Sequence, residues 1–225
     1  MITLRKALLA AAATVMSATA AQAQVTLTFN EGTGGLGAGE VSLATFDGDA
    51  TTYGGVVGGV VMTGSNGNGA DPAVGGQGDP YLSVLGGQTA DFDFSGFSGG
   101  GLSQLGLDFG SADTYNLFTL FLTGAMVSSV QFTGQDIINA GNIADGNQTA
   151  GRTNGRLTFF ADAGATITGL RLQSDANSLE TDNYGVIASV PEPATWGMML
   201  LGFGGIGAAM RRSRRSKSDA RLQIA

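Results

Sequence analysis

Apolar and polar residues alternate in short runs along most of the chain, and glycine, asparagine and aspartate interrupt these runs at close intervals. Alternation as in Phe92-Asp93-Phe94 is typical of a strand with one buried face, whereas Leu117–Leu122 is apolar enough for burial on both faces. Turn sequences such as Ser65–Gly69 separate the runs. The pattern predicts eleven strands: Val25–Phe29, Val41–Phe46, Val56–Met62, Tyr81–Leu85, Ala90–Phe94, Leu102–Phe109, Asn116–Leu122, Val127–Phe132, Arg156–Phe160, Thr166–Leu172 and Tyr184–Val190. Strands this numerous and closely spaced predict an all-β domain, an antiparallel β-sandwich of the jelly-roll type.

Residues 1–23 have the organisation of a secretory signal peptide. Arg5 and Lys6 precede an apolar stretch, and Ala21 and Ala23 form the small-x-small site that predicts cleavage before Gln24. The alternative is an ordinary N-terminal helix, which the alanine content would also favour. The charge order and the cleavage site favour the signal peptide, so we expect export through the secretory translocon and processing by signal peptidase.

A second apolar segment, residues 194–210, lies near the C-terminus. Pro191-Glu192-Pro193 ends the strand-rich region, because proline cannot continue a sheet ladder, and Trp196 suits a membrane interface. As a helix the segment would be about 25 Å long, at the short end for a single transmembrane helix. A basic cluster follows and is expected to stay cytoplasmic: Arg211, Arg212, Arg214 and Arg215. The alternative is a permanent anchor formed by a weak helix.

This order of features resembles the PEP-CTERM sorting signal, in the variant with tryptophan after the Pro-Glu-Pro box. Proteins with that signal are substrates of exosortase, a membrane cysteine transpeptidase-like enzyme that processes the chain near the box. They occur mostly in Gram-negative bacteria that make exopolysaccharide. The resemblance implies a transient inner-membrane intermediate, followed by a position at the cell surface or in the extracellular matrix. The last residues, 216–225, extend beyond the usual end of such a signal and would form a cytoplasmic tail.

The predicted organisation is therefore a signal peptide (1–23), a β-sandwich domain (24–189), a sorting signal (190–215) and a tail (216–225). Within the domain, Tyr81–Val84, Ser111–Asn116 and Thr181–Tyr184 resemble recurring pieces of exosortase-dependent surface proteins. That resemblance implies a surface or matrix role and brings no catalytic residues with it.

Composition narrows the chemistry of the domain. The chain has no cysteine and no histidine, which removes disulfides, thiolate nucleophiles and the commonest general base. Residues 24–190 contain sixteen acidic residues and three basic ones, Arg152, Arg156 and Arg171. Nucleic-acid binding is excluded, because it requires clustered cations that replace the counterions of the phosphates.

Three sequence patterns are candidates for binding or catalytic sites. Gly32–Gly37 matches GxGxxG, but a strand-like sequence follows it where a dinucleotide site needs a helix. Glu31, Asp182 and Asn183 form a weak hypothesis for a structural calcium ion, the alternative being a simple turn before the last strand. Asp91 and Asp93 share one strand face and could form a glycosidase pair, although scattered aspartates are expected in so acidic a chain.

An aromatic platform for sugar rings is a further hypothesis, with the tyrosines as its members, although most aromatics of such a domain are core. These residues are Tyr53, Tyr81, Tyr115 and Tyr184.

Taken together, the sequence predicts an exported, exosortase-processed, non-catalytic protein of the cell surface or exopolysaccharide matrix. The alternatives are a carbohydrate-binding module, with or without structural calcium, and a polysaccharide hydrolase. No cofactor other than calcium is suggested.

Overall fold

The computed structural model describes residues 25–47, 56–74, 78–141, 153–190, 196–207 and 210–211. The strands of this part of the chain are β1 (Val25–Glu31), β2 (Val41–Ala44), β3 (Val56–Gly58), β4 (Val60–Met62), β5 (Tyr81–Val84), β6 (Gln88–Asp93), β7 (Leu102–Gly110), β8 (Asn116–Thr123), β9 (Ser129–Thr133), β10 (Gly155–Ala161), β11 (Thr166–Ser174) and β12 (Leu179–Ala188). A short 3₁₀ turn (Ser98–Gly100) precedes β7, and one helix, α1 (Gly134–Gly141), follows β9.

The strands form two layers in which every pair is antiparallel. Sheet A has the order β1-β10-β7-β12; β2 and β5 both pair with β12, and β4 pairs with β5. Sheet B has the order β9-β8-β11-β6-β3. The two sheets join at one corner, where Ile167 of β11 pairs with Leu102 of β7. This arrangement confirms the predicted all-β antiparallel sandwich.

Aromatic side chains from both sheets meet in the core between the layers. Phe118 of sheet B packs edge-on against Phe109 of sheet A, with ring centroids 5.3 Å apart. Phe92 of sheet B stacks on Tyr184 of sheet A at 4.8 Å. Each such pair adds about 0.5–1.5 kcal/mol to the burial of its surface. The core therefore requires that the two sheets pack face to face.

The predicted strand Val56–Met62 is two strands, and the reason is backbone geometry. Gly58 and Gly59 have φ values of 93° and 70°, which side-chain-bearing residues rarely adopt. A Cβ on Gly58 would overlap the carbonyl oxygen of Thr89. The two glycines carry the chain from sheet B, where β3 pairs with β6, to sheet A, where β4 pairs with β5.

Helical backbone recurs after the sandwich, at residues 196–207. Among the described residues, no helix combines the length and the apolar character that crossing a membrane requires. The predicted span 194–210 extends into positions outside the described residues, as does the whole predicted signal peptide.

Candidate functional site

Both ends of the folded domain leave the sandwich at the same place. Val25, which begins β1, lies opposite Ala161 at the end of β10. At the other end of the chain, Ala188 closes β12 opposite Leu102, the residue at which the two sheets join. We call this end of the sandwich the terminal pole and define it by residues 98–102, 124–128, 161–166 and 188–190.

The backbone of the terminal pole is tied together by hydrogen bonds between its segments. The amide of Ser189 donates to the carbonyl of Gly101 at 3.0 Å. Gly124 lies so close to the carbonyl of Gly164 that a Cβ there would overlap it. A groove of about 560 Å³ lies between the turn that follows β10 and the end of β12, and Val190 forms part of its wall.

The surface of the terminal pole is nearly uncharged. Asp162 is the one ionisable residue among its defined positions, and it accepts a hydrogen bond from the Thr26 hydroxyl at 3.3 Å. Met126, Val127 and Val190 are exposed apolar residues, with 67%, 44% and 83% of their surface accessible. A domain with a strong negative charge therefore has one end that presents apolar side chains and little charge.

The opposite end of the sandwich is acidic. The β7–β8 connection carries Asp113, which accepts a hydrogen bond from the Tyr115 hydroxyl at 2.7 Å. Asp175 lies in the turn between β11 and β12, and Asp136 lies in the first turn of α1. The two ends of the domain thus differ clearly in charge.

The outer face of sheet A carries a buried ionic cluster, which we call the Arg156 cluster. Arg156 of β10 lies opposite Asp108 of β7, and Asp108 lies opposite Asp182 of β12. The guanidinium binds Asp108 at 3.1 Å and also pairs with Glu40, which enters from the β1–β2 loop. The Asn183 amide donates to the second oxygen of Asp108 at 2.9 Å. All three charged side chains of these two ion pairs are at least 96% buried.

Two glycines make room for this ion pair. Gly106 and Gly185 lie opposite each other on β7 and β12. A Cβ on either glycine would overlap the Glu40 carboxylate and the guanidinium of Arg156. The Glu40 and Arg156 side chains therefore pack directly against the backbone of Gly106 and Gly185, a close approach that only glycine allows.

The GxGxxG sequence lies in the loop that covers this cluster. The Gly35 amide donates to Asp108 at 2.8 Å, and the Gly37 amide donates to Glu40 at 2.7 Å. Its amides therefore bind carboxylates of the protein itself, and the loop continues into strand β2 (Val41–Ala44) without a helix. This geometry differs from a dinucleotide site, in which a helix N-terminus holds the pyrophosphate.

Two further carboxylates lie buried beside the cluster on β12. Glu180 accepts hydrogen bonds from the Ser178 hydroxyl and from the Ala70 amide. Within the described residues, Glu180 Oε2 and Asp182 Oδ1 have no hydrogen-bond partner. Burial raises the pKa of Glu180, and burial together with the neighbouring carboxylates of Asp47 and Asp108 raises the pKa of Asp182 to about 8. At neutral pH, Asp182 therefore tends to hold a proton.

The three residues of the calcium hypothesis are not brought together. Glu31 ends β1, and two strands, β10 and β7, lie between it and β12, a separation of about 14 Å at normal strand spacing. Asp182 and Asn183 lie next to the Arg156 cluster, and Asn183 adopts a φ of 47°. Among the described residues, no group of three or more acidic side chains is arranged to hold a metal ion.

The outer face of sheet B holds the proposed carboxylate pair. Asp91 and Asp93 do share this face, because they alternate with the buried residues of β6. Asp91 binds Arg171 through both oxygens, at 2.6 and 3.2 Å. Hydrogen bonds from Ser95 lower the pKa of Asp93. A glycosidase pair needs one carboxyl group whose pKa is raised, whereas the pKa of Asp93 is lowered and Asp91 is held in an ion pair.

The tyrosines do not form an exposed platform within the described residues. Tyr81 and Tyr184 are fully buried, and Tyr115 is partly buried at the acidic end; Tyr53 lies outside the described residues. An exposed aromatic ring occurs instead on sheet B. Phe121 is 37% accessible, and the Arg171 guanidinium lies 5.9 Å from its centroid.

Comparison with protein families gives one match, the model described as the PEP-CTERM protein-sorting motif, over residues 189–215. The chain carries a PEP-CTERM sorting motif. A PEP-CTERM motif implies an exported protein that exosortase processes on its way to the cell surface. No curated protein sequence matches the chain.

Among solved structures, the chain shows a weak similarity to the catalytic unit of a thermostable GH87 α-1,3-glucanase from Streptomyces thermodiastaticus strain HF3-3. The sequence identity is 14% and the TM-score is 0.28. The match covers 76% of this chain and 27% of the glucanase unit, so the chain spans about a quarter of that structure.

The PEP-CTERM motif begins on the terminal pole itself. Its first residue, Ser189, is the one whose amide binds Gly101, directly after the end of β12. Trp196 lies in the helical segment, where 55% of its surface is accessible, and Arg211 is exposed. The remaining predicted sorting and cleavage residues lie outside the described residues: Ala21, Ala23, Gln24, Pro191, Glu192, Pro193, Arg212, Arg214 and Arg215.

The Arg156 cluster is hard to predict from the sequence. Its charged members are separated by 48 and 116 positions in the chain, so no local motif connects them. One signal is present in the sequence: residues 24–190 contain only three basic residues beside sixteen acidic ones, and Arg156 is the one that begins a predicted strand. An arginine in a strand of so acidic a domain favours an ion pair with a carboxylate on a neighbouring strand, as Arg156 and Arg171 both form.

Proposed function

We propose that the protein is an exported, exosortase-processed, non-catalytic component of the cell surface or of the exopolysaccharide matrix. The observation that carries the proposal is the PEP-CTERM motif, which begins at Ser189 without a spacer after the last strand. The charge pattern supports export more strongly than the absence of cysteine and histidine does. The basic residues of the C-terminal cluster follow the apolar segment, and the acidic domain precedes it.

The non-catalytic part of the proposal is supported by how the carboxylates are used. Glu40 and Asp108 share the Arg156 guanidinium, and Asp91 forms an ion pair with Arg171. Asp182 has a raised pKa but is buried, and it is not among the residues that line the groove at the terminal pole. A buried acid without access to substrate is typical of a structural site.

Processing is tested with an epitope tag placed after the last residue of the full chain, in a host that has an exosortase. We expect the tag to be lost and the domain to reach the cell surface. Glu192→Ala should block this loss, and Glu31→Ala, the same substitution at an exposed glutamate of the domain, should leave it unchanged. Retention of the tag by the unaltered protein in that host would contradict the proposal.

A second candidate function, glycan binding, is favoured by the outer face of sheet B. Phe121, Arg171 and Asp91 lie on neighbouring strands there, and this combination of an exposed aromatic ring with polar groups suits a sugar. The experiment compares Phe121→Ala with Phe160→Ala, because both rings are 37% accessible and only Phe121 lies on sheet B. If both variants bind the host's exopolysaccharide equally well, the outer face of sheet B is excluded as the glycan-binding site.

A further inference from the structure

We propose that the terminal pole lies against the lipid surface of the membrane while the PEP-CTERM segment still holds the precursor there. The inference rests on the proposed function, because it requires that the C-terminal segment engages the membrane before processing. It goes further by assigning one end of the sandwich as a membrane-contacting surface.

The first argument is the length of the connection. Seven residues separate the end of β12 at Ala188 from the first helical residue, Trp196. Even when fully extended, seven residues reach only about 25 Å. The N-terminal connection leaves from the same pole at Val25, so the signal peptide pulls on that end as well before it is cleaved. Both attachments therefore orient the terminal pole toward the membrane.

The second argument is the charge distribution. The terminal pole has Asp162 as its one ionisable residue, whereas Asp113, Asp136 and Asp175 lie toward the opposite end. Anionic lipid headgroups repel carboxylates, so the opposite end is the less favourable one to bring close to the membrane. The orientation imposed by the two connections is also the orientation with the least repulsion.

The third argument is the exposed apolar surface. Met126, Val127 and Val190 project from this pole and can enter the headgroup region, whereas in solution they would remain in contact with water. Three such side chains give only weak affinity alone. A tether raises their effective concentration at the membrane, so weak contacts are sufficient to orient the domain.

The chain has no cysteine, so a single introduced thiol reports on one position. Two exposed alanines flank β11, Ala163 at the terminal pole and Ala176 at the opposite end, about 30 Å apart along a nine-residue strand. The full-length variants Ala163→Cys and Ala176→Cys are produced in a host whose exosortase gene is deleted, and spheroplasts are treated with a polyethylene glycol maleimide. After detergent extraction, the same labelling serves as the unshielded control.

We expect Ala163→Cys to lose most of its labelling in spheroplasts and to recover it in detergent, while Ala176→Cys labels equally in both. Adding Met126→Ser and Val127→Ser to Ala163→Cys should restore part of the labelling. Equal labelling of both positions in a precursor that floats with the membranes would overturn the inference. Shielding that appears only when an inactive exosortase is supplied would also overturn it, because the partner would then be the enzyme. A precursor absent from the membrane fraction would instead contradict the proposed function.

Discussion

Replacing Asp182 by asparagine should stabilise the domain, and the gain should depend on pH. In the folded protein the pKa of Asp182 is raised from 3.8 to about 8, chiefly by burial and then by Asp47 and Asp108. Between these two values the unfolded chain has released the proton and the folded protein has kept it. Rising pH therefore favours unfolding, and the stability present below about pH 4 is lost progressively until about pH 8.

The size of the effect follows from the width of that interval. Each pH unit corresponds to about 1.4 kcal/mol, so at pH 7 the cost of keeping Asp182 protonated has a ceiling of about 4 kcal/mol. Asp182→Asn does not titrate and avoids this cost. The measured gain should be smaller than the ceiling, because the new amide also needs hydrogen-bond partners in a buried position.

The assay is urea unfolding followed by far-UV circular dichroism, from pH 4 to pH 9 in the presence of EDTA. Residues 24–190 are a suitable fragment, because they include every residue of the buried core cluster. The difference between Asp182→Asn and the unaltered fragment should be close to zero at pH 4, grow with pH, and level off above pH 8. A pH-independent difference would refute the reasoning. A gain of stability in the unaltered fragment that calcium produces and EDTA removes would instead assign a cation to Asp182.

Three further predictions concern stability at pH 7 and use the same assay. Arg156→Met should cost about 3–5 kcal/mol, because it leaves the buried carboxylates of Glu40 and Asp108 without a cation. Arg171→Met at the exposed pair should cost at most about 1 kcal/mol, and similar losses for the two variants would contradict the assignment of burial. Gly185→Ala should lower the free energy of unfolding by about 1–3 kcal/mol, because the added methyl group overlaps Glu40. In the control Gly67→Ala, the added methyl group meets no atom within 4 Å, so the loss should be smaller. A larger loss for Gly67→Ala would contradict the packing around Gly185. Thr133→Ala should lower the free energy of unfolding by about 1 kcal/mol, because the Thr133 hydroxyl accepts a hydrogen bond from the Asp136 amide at the start of α1. An unchanged stability would show that this helix cap is not formed.

The strands could be predicted from the sequence because their signal is local. Phe92 and Asp93 alternate as expected, and Phe92 is buried while Asp93 is exposed. The split at Gly58 and Gly59 could not be foreseen, because it depends on which strands lie on either side of the chain. Helix α1 could have been found: Thr133 and Asp136 bond each other's amide groups, the reciprocal pattern of a capping box.

The ionic sites illustrate the limit of sequence reasoning. The sequence suggests Asp182 and Asn183 as calcium ligands, yet Asn183 binds Asp108, a residue on a neighbouring strand that no local pattern connects to it. Register decides this contact, because a shift by one residue would move Asp108 to the core face. Sequence periodicity indicates which residues share a face, but it does not indicate which strands are neighbours.

The central claim is that this chain is exported and then cut near its Pro-Glu-Pro box by exosortase. The most direct test is the intact mass of the protein recovered from the host surface, compared with that from a strain without exosortase. We predict a mature form that begins at Gln24 and has lost the apolar segment and the arginine cluster, whereas the strain without exosortase should retain the full C-terminus in its membrane. Identical C-terminal masses in the two strains would contradict the account.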